Sequence, residues 1–479
     1  MDLDPNYIKE NLHQIGIKDS KALLKEWIDN SNDIELRKSA LRIYSSIDDG
    51  KSFKYFEQLI LSDEEVEIRI LSGEILREKY RFHKKFVAIL DFVLNSVDNL
   101  SQKFQALDIL RLINTKKTKR IILDFLKKSI KTSVKLDMRE FSAKLGDLDY
   151  DFPISDYIME FCYNLMLYDY YVNFCGYNAT LRDGVIILLN CEGANLTKIS
   201  DIQAFEKLIN LEHLLLQRNN ISRISNLEPL KNLKVLNLSY NNIEKIENLE
   251  SLTSLEELIL TGNEIRTIEN LNLPNLRKLF LDRNLITEIS NLGELSTLET
   301  LNLSQNKISE IENLNTLSKL KNLSVSHNRI NLIKGLQNLE NLISLHLNDN
   351  EISILEGVEK LSSLKVLSLS NNRIFMINNL DNLRNLLKLE LSNNAIKKIE
   401  GLDNLSKLQE LFLDKNKISI IEGLNDLSSL IILFLEKNNI SEFKINQIEH
   451  LKNLNFIFLN DNPLTPDSRE AYLKKTRFP

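Results

Sequence analysis

The apolar residues between positions 211 and 464 follow one pattern that repeats about every 22 residues. Leu236 and Leu238 alternate with polar Asn237 and Ser239, which is the spacing of a strand with one buried face. Most other apolar positions are three residues apart, so each repeat, here called a coil, is predicted to turn once around an apolar core. In this coil the inward positions are Leu227, Leu230, Leu233, Leu236, Leu238, Ile243 and Ile246.

An asparagine recurs at one position of every coil. A side-chain amide both donates and accepts hydrogen bonds, so it can satisfy backbone groups that a turn removes from the sheet. We therefore predict a structural role for this asparagine ladder. Its members are Asn219, Asn241, Asn263, Asn284, Asn306, Asn328, Asn350, Asn372, Asn394, Asn416, Asn438 and Asn462.

The pattern L-x-x-L-x-x-L-x-L-x-x-N-x-I-x-x-I resembles the leucine-rich repeat family. Its length resembles the subfamily typified by a regulatory subunit of type-1 protein phosphatase. The resemblance implies an α+β repeat protein, in which a parallel β-sheet lines the concave face and short helical turns or extended segments form the convex face. The period changes near Pro274 and from Phe443 to Ile445, and both changes are expected outside the strands.

Both ends of such a solenoid need a cover, because the leucines of an end coil would otherwise meet water. The solenoid is predicted over residues 185–462, with a degenerate first coil that has Ala194 or Asn195 at the ladder position. Residues 463–479 are predicted to form the C-terminal cap, with a helix around Ser468 to Lys475. Its expected apolar plugs are Tyr472 and Leu473.

Residues 1–148 have the apolar spacing of helices instead. Segments beginning at Leu36, Ile68 and Gln102 align with each other, and each has a basic residue followed three positions later by a small one. They resemble HEAT-type helical hairpins, which implies an N-terminal all-α helical-repeat domain. An unspecified helical bundle is the alternative.

Polar residues predict where three of these helices begin. Asp33 and Ser101 are expected to open two helices, and Ser62 with Glu65 has the spacing of a capping box at the start of another.

Residues 149–184 form a junction that is rich in aromatic side chains. Bulky rings with one polar end suit a seam between a helical array and the first coil, so packing is the expected role. A ligand pocket is the alternative. The aromatic residues are Tyr150, Phe152, Tyr157, Phe161, Tyr163, Tyr168, Tyr170, Tyr171, Phe174 and Tyr177.

The segment 116–135 is basic, with eight cations against the single acid Asp124. Ile122, Phe125 and Leu126 mark one apolar face, so the cations fall largely on the other side of a helix. A solvated outer face is one interpretation, and a site for nucleic acid, acidic lipid or an acidic protein is the other. The candidate anion-binding residues are Lys116, Lys117, Lys119, Arg120, Lys127 and Lys128.

The chain has 479 residues, of which 43% are hydrophobic and 27% charged, and a net charge of −6. It shows no secretory signal and no apolar run of membrane-spanning length, so a cytoplasmic location is expected. Reduced, packed thiols are expected for Cys162, Cys175 and Cys191, whose number is odd and whose spacing is not that of metal ligands.

The sequence contains no glycine-rich phosphate loop and no catalytic motif of a common hydrolase or metalloprotease. His327 and His346 fall on neighbouring predicted strands at positions too far apart to share one zinc ion. We therefore expect no enzyme, no cofactor, no metal site and no small-molecule substrate.

The predicted concave face changes character along the solenoid. Phe412, Phe434 and Phe458 occupy one position in three successive coils, Ile432 and Phe456 widen this strip, and Asp414 and Glu436 border it. An exposed aromatic strip edged by carboxylates suits an apolar, basic segment of a partner, while a purely stabilising stack is the alternative. The middle of the face is small and polar, with Asn302, Ser304, Ser324, Ser326, Asn348, Ser368, Ser370 and Ser392.

These observations predict a non-catalytic scaffold that binds a partner protein on the concave face of the solenoid. The first alternative is a regulatory subunit of a protein phosphatase, which the subfamily resemblance implies. The second is an adaptor that binds nucleic acid or an acidic membrane through the basic helix. The sequence does not identify the partner.

Overall fold

The structure is a computed structural model that describes residues 4–132 and 154–476. The chain divides into two compact units. The helical unit comprises Met1–Gly176 and Leu181–Ile186, and the solenoid unit comprises Tyr177–Thr180 and Ile187–Pro479.

The helical unit contains the predicted helical array. Consecutive helices α3 and α4, α5 and α6, and α7 and α8 pack as hairpins, and α4, α6 and α8 pack against one another in series. The helices are α1 Pro5–Glu10, α2 Leu12–Ile15, α3 Ile17–Asn30, α4 Ile34–Ser46, α5 Phe53–Ser62, α6 Val66–Tyr80, α7 Phe86–Ser96, α8 Leu100–Ile113, α9 Lys116–Thr132 and α10 Asp156–Tyr168, which a π-helical turn, Asp169–Phe174, follows.

Small residues lie where the second helices of the hairpins meet. Ala40, Ser72 and Ala106 occupy equivalent positions of α4, α6 and α8, and at most 1% of each is exposed. A small side chain lets neighbouring helices approach closely, so the weak repeat in the sequence marks this packing. This packing shows an array of helical hairpins. That the hairpins are of the HEAT type stays a prediction.

One of the three predicted helix starts is correct. The Asp33 carboxylate accepts the Leu36 N–H at 3.0 Å and caps α4. The prediction for Ser101 is wrong by two residues, because Asn99 caps α8 by accepting the Gln102 N–H. The capping box of Ser62 with Glu65 is also wrong.

Ser62 ends a helix instead of starting one. It is the last residue of α5, and its hydroxyl donates to the Gln58 carbonyl at 2.8 Å. Asp63 lies in the turn that follows α5. Its carboxylate accepts the Glu65 N–H and forms an ion pair with Arg37 at 2.6 Å. This charged contact with α4 determines the turn, and no local motif encodes it.

Within the described residues, fourteen strands form one sheet in sequence order, and the solenoid is built on it. From β2 onward, neighbouring strands are parallel and each pair is in register. The strands are β1 Asn178–Arg182, β2 Val185–Asn190, β3 His213–Leu215, β4 Val235–Asn237, β5 Glu257–Ile259, β6 Lys278–Phe280, β7 Thr300–Asn302, β8 Asn322–Ser324, β9 Ser344–His346, β10 Val366–Ser368, β11 Lys388–Glu390, β12 Glu410–Phe412, β13 Ile432–Phe434 and β14 Phe456–Phe458.

The core of the solenoid consists of the inward residues of the repeat. In the coil of β4, all seven predicted positions from Leu227 to Ile246 are 0% exposed. The segments between strands are turns and extended chain, with short 3-10 helices at Ile199–Asp201, Phe205–Lys207 and Ile445–Gln447. The two changes of period fall outside the strands, as predicted.

The asparagine ladder is structural. The Asn241 amide donates to the carbonyls of Leu216 and Leu238 at 2.9 and 3.0 Å, and its oxygen accepts the Ile221 N–H at 3.0 Å. Each ladder asparagine therefore bonds its own coil to the preceding one. Asn219 makes the equivalent bond to the Cys191 carbonyl, three residues before Ala194, so Ala194 takes the ladder position of the first coil.

A second series of residues recurs at one position of successive coils. It could not be recognised in the sequence, because asparagine and glycine both occupy this position. Its members have a positive φ, which glycine and asparagine adopt more readily than other residues. Asparagines such as Asn248 donate to a carbonyl of the preceding coil, here that of Ile224 at 2.7 Å. The series is Asn226, Asn248, Asn270, Asn291, Asn313, Gly335, Gly357, Asn379, Gly401 and Gly423.

A C-terminal helix, α11 (Pro466–Thr476), covers the last coil. The Ser468 hydroxyl is buried and accepts the Phe443 N–H at 2.9 Å, and the Tyr472 ring meets the Phe443 ring edge-on at 6.3 Å. Tyr472 is thus a plug, as predicted. The prediction for Leu473 is wrong, since 42% of this side chain is exposed and Phe443, from the longer last coil, fills the space instead.

Candidate functional site

The register of the sheet brings three phenylalanines together on its outer surface. Glu390, Phe412, Phe434 and Phe458 are successive partners on β11 to β14. The rings of Phe412 and Phe434 stack at 4.8 Å and 12°, and those of Phe434 and Phe458 at 4.3 Å and 11°. We call these three residues the aromatic ladder. Each is half-buried, so one part of every ring remains accessible.

Two further apolar residues lie beside the ladder. Ile432 and Phe456 are register partners on β13 and β14, two residues before Phe434 and Phe458. Phe456 is 53% exposed. Together with the aromatic ladder they form a continuous apolar strip at the C-terminal end of the sheet.

The two acids at the border of the strip each have a neutral hydrogen-bond donor. Asp414 accepts the hydroxyl of Ser392 from the preceding coil, and Glu436 accepts the Asn460 amide from the following coil at 2.7 Å. These bonds offset the repulsion between like charges on neighbouring strands. The acid pair therefore does not by itself require a ligand.

A charged group at the other end of the ladder was missed in the sequence. Lys388 bridges Glu390 at 2.8 Å and Glu410 at 3.5 Å, and its ammonium lies 5.0 Å from the centre of the Phe412 ring. The Glu390 hydrogen bond raises the pKa of Lys388, against the effect of burial. Burial raises the pKa of Glu390, but hydrogen bonds from Lys388 and Ser368 outweigh it and lower the pKa. Charged residues at both ends of the strand Lys388–Glu390 were the signal in the sequence.

The middle of the face is less exposed than its small polar residues predict. Ser368 is 1% and Ser326 8% exposed. The His346 ring lies 3.1 Å from the Ser368 hydroxyl, and burial lowers the pKa of this histidine. His327 takes a different partner, Asp349, at 3.4 Å.

The basic helix is amphipathic. Ile122 and Leu126 are fully buried and Phe125 nearly so, while Lys116, Lys117, Arg120 and Lys128 are exposed and Lys119 and Lys127 half-buried. The C-terminal part of the predicted helix, including Lys135, lies outside the described residues.

The aromatic junction residues of the helical unit are divided between core and surface. Phe161 and Tyr171 are fully buried, whereas Phe174 is 78% exposed and stacks on Tyr170 at 5.2 Å. A cavity of about 300 Å³ lies beside these two rings. Tyr150 and Phe152 of the predicted cluster lie outside the described residues.

Cys162, Cys175 and Cys191, all within the described residues, form no disulfide, and burial raises the pKa of Cys162 to about 12. Within residues 4–132 and 154–476, no three histidine, cysteine or acidic side chains converge as a metal site would require. No helix in these ranges combines the length and apolar character needed to cross a bilayer.

Three segments, residues 209–251, 253–294 and 384–426, match the family model described as leucine-rich repeats in two copies. A leucine-rich repeat protein of Leptospira interrogans is 27% identical with a TM-score of 0.51, and the match covers 59% of this chain and 80% of that one. A comparison with curated proteins finds no match. The solenoid therefore contains leucine-rich repeats.

Other solved structures also resemble the chain. TLR13, solved as a complex with ssRNA13, is 26% identical with a TM-score of 0.53; the match covers 58% of this chain but only 44% of TLR13. The internalin InlF of Listeria monocytogenes is 29% identical with a TM-score of 0.49, over 62% of this chain and 83% of that one.

Proposed function

We propose that this protein is a non-catalytic scaffold that binds a partner protein over the aromatic ladder. The observation that carries the proposal is the apolar strip itself. Phe412, Phe434 and Phe458 stack with accessible surfaces, and Phe456 adds a ring that is 53% exposed. Aromatic side chains commonly contribute most of the binding energy at protein interfaces, since they bury a large area with few rotatable bonds.

The charges around the strip favour a protein over a nucleic acid. TLR13 was solved with a single-stranded RNA. Here the carboxylates of Glu410, Asp414 and Glu436 border the strip, and Lys388, the cation beside Phe412, pairs with both Glu390 and Glu410. Carboxylates repel a phosphate backbone, whereas they accept hydrogen bonds from lysine or arginine. An apolar segment flanked by basic residues is therefore the partner chemistry that we propose.

The alternative of a phosphatase regulatory subunit stays a prediction, because none of the matched structures named above is such a subunit.

The stabilising role of the stack is compatible with binding, as stacked rings can support one another across strands and still present their edges.

The proposal is tested with a ladder variant and a matched control. Phe434→Ala with Phe458→Ala removes the centre of the strip, whereas Phe375→Ala removes a phenylalanine that is 51% exposed outside the strands. Proteins recovered with the full chain are compared by quantitative mass spectrometry. A direct partner should be lost with the ladder variant and kept with Phe375→Ala.

Binding of that partner is then measured with purified components. We expect the ladder variant to weaken binding by at least about tenfold, since interface anchors cost more than about 1.4 kcal/mol when truncated. Circular dichroism must show that the variant is folded. Equal affinities of the folded ladder variant and the parent chain would refute the proposed site.

A further inference from the structure

A separate surface lies on the helical unit, where the turns between hairpins meet. These turns are residues 47–52, 81–85 and 114–115. The Tyr80 hydroxyl at the end of α6 accepts the Ser52 N–H at 2.9 Å, and Arg81 donates to the carbonyl of Leu112 near the end of α8. The contacts place successive turns side by side along one edge of the array.

Two neighbouring turns of this edge are strongly basic. Arg81, Lys84 and Lys85 are exposed in the turn before α7, and Lys116 and Lys117 are exposed in the first turn of α9. Helices α7 and α9 pack against each other and both begin at this edge. We call these five cations, together with Phe82 and Leu112, the basic edge.

The helix N-termini at the basic edge do not favour its cations. A helix N-terminus carries partial positive charge, so lysines there are less favourable than acids. Neither the first turn of α7 nor that of α9 contains an acid. The basic edge is therefore a local concentration of positive charge in a chain whose net charge is −6.

Two large apolar side chains project among these cations. Phe82 is 93% exposed and Leu112 55% exposed. The Arg81 guanidinium lies 5.8 Å from the centre of the Phe82 ring. Apolar residues surrounded by lysine and arginine are the combination that holds proteins at a membrane interface, because the cations attract anionic headgroups while the apolar groups enter the acyl boundary.

We propose that the basic edge docks the protein on a membrane surface that contains anionic phospholipids. Phe82 and Leu112 enter the headgroup region, and the five cations contact the lipid charges. A nucleic acid would also satisfy the cations, but its bases bind by stacking on aromatic faces, and Leu112 has none. This second surface is independent of the aromatic ladder, which lies on the solenoid.

The electrostatic part is tested by sedimentation of the full chain with phosphatidylcholine vesicles that contain or lack phosphatidylserine. The edge variant is Lys84→Gln, Lys85→Gln and Lys117→Gln. The control, Lys307→Gln, Lys397→Gln and Lys398→Gln, changes the net charge equally at exposed lysines of the solenoid.

Each cation near an anionic membrane changes binding about fivefold, so the edge variant should bind roughly a hundredfold more weakly at low salt. The control variant should bind like the parent chain. The proposal fails if the parent chain does not bind phosphatidylserine vesicles, or if both variants lose binding equally.

The insertion of Phe82 has its own test. Trp27 is the single tryptophan. In a Trp27→Phe background, Phe82→Trp should therefore report the environment of the edge, with an emission shift to shorter wavelength on phosphatidylserine vesicles. Phe82→Ser should weaken vesicle binding about tenfold. Absence of the shift contradicts insertion, and binding of single-stranded RNA without vesicle binding would assign the edge to nucleic acid instead.

Discussion

Lys21 forms an ion pair with Asp48 at 3.1 Å and thereby joins α3 to the turn between α4 and α5. The same carboxylate accepts the Ser52 hydroxyl at 2.6 Å and the Tyr80 hydroxyl. Burial raises the pKa of Asp48, but these bonds and the Lys21 charge outweigh it and lower the pKa below its ordinary value. Asp48 therefore joins α3 and α6 to the turn between α4 and α5, and its ionised form makes these contacts most strongly.

This group makes the helical unit sensitive to acid. A carboxyl group whose pKa is lower in the folded protein than in the unfolded chain stabilises the fold at pH values above its pKa in the unfolded chain, about 4. That stabilisation is lost as the pH falls through the pKa of the folded protein. Asp48→Asn should lower the urea midpoint at neutral pH, and its difference from the parent chain should shrink below about pH 4. Asp403→Asn, at an exposed position, is the control. A difference that does not change with pH would contradict the prediction.

The ladder asparagines should be needed for stability and their neighbours should not. Asn241→Ala removes the donor to Leu216 and leaves the Ile221 N–H buried without its acceptor. We expect a loss of about 1–3 kcal/mol. Asn242→Ala changes an exposed asparagine one residue away and should be nearly neutral. Urea unfolding of both variants measures the difference, and equal midpoints would contradict the structural role.

Replacement of Gly423 by alanine should destabilise the protein. Its φ is +68°, and an added Cβ would stand 2.1 Å from the Ile399 carbonyl oxygen. We expect Gly423→Ala to cost roughly 1–3 kcal/mol, because both the backbone conformation and the contact are unfavourable.

The matched control is Gly293→Ala, at a position with nothing within 4 Å of an added Cβ. It should change stability by less than about 0.5 kcal/mol. A Gly423→Ala chain that unfolds at the same denaturant concentration as the Gly293→Ala chain would show that the coils can separate at this point.

The repeat could be read from the sequence because each coil uses the same residues for the same contacts. The spacing from Leu236 to Asn241 recurs, and the stacking of Phe412, Phe434 and Phe458 follows from the register of parallel strands about 4.8 Å apart. The ladder of mixed asparagine and glycine was missed, because a shared backbone conformation need not produce a shared residue type.

The solenoid, its inward residues and the positions of its asparagines follow from the amino-acid sequence alone, since all of these depend on local periodicity. The contacts of the charged groups depend instead on tertiary packing. Ser392 and Asn460 supply donors to Asp414 and Glu436 from opposite sides, and Lys388 reaches two acids on adjacent strands. In the helical unit, Arg81 meets Leu112 across 31 residues of chain. Such contacts join residues far apart in sequence, so their partners are set by packing, and no local pattern reveals them.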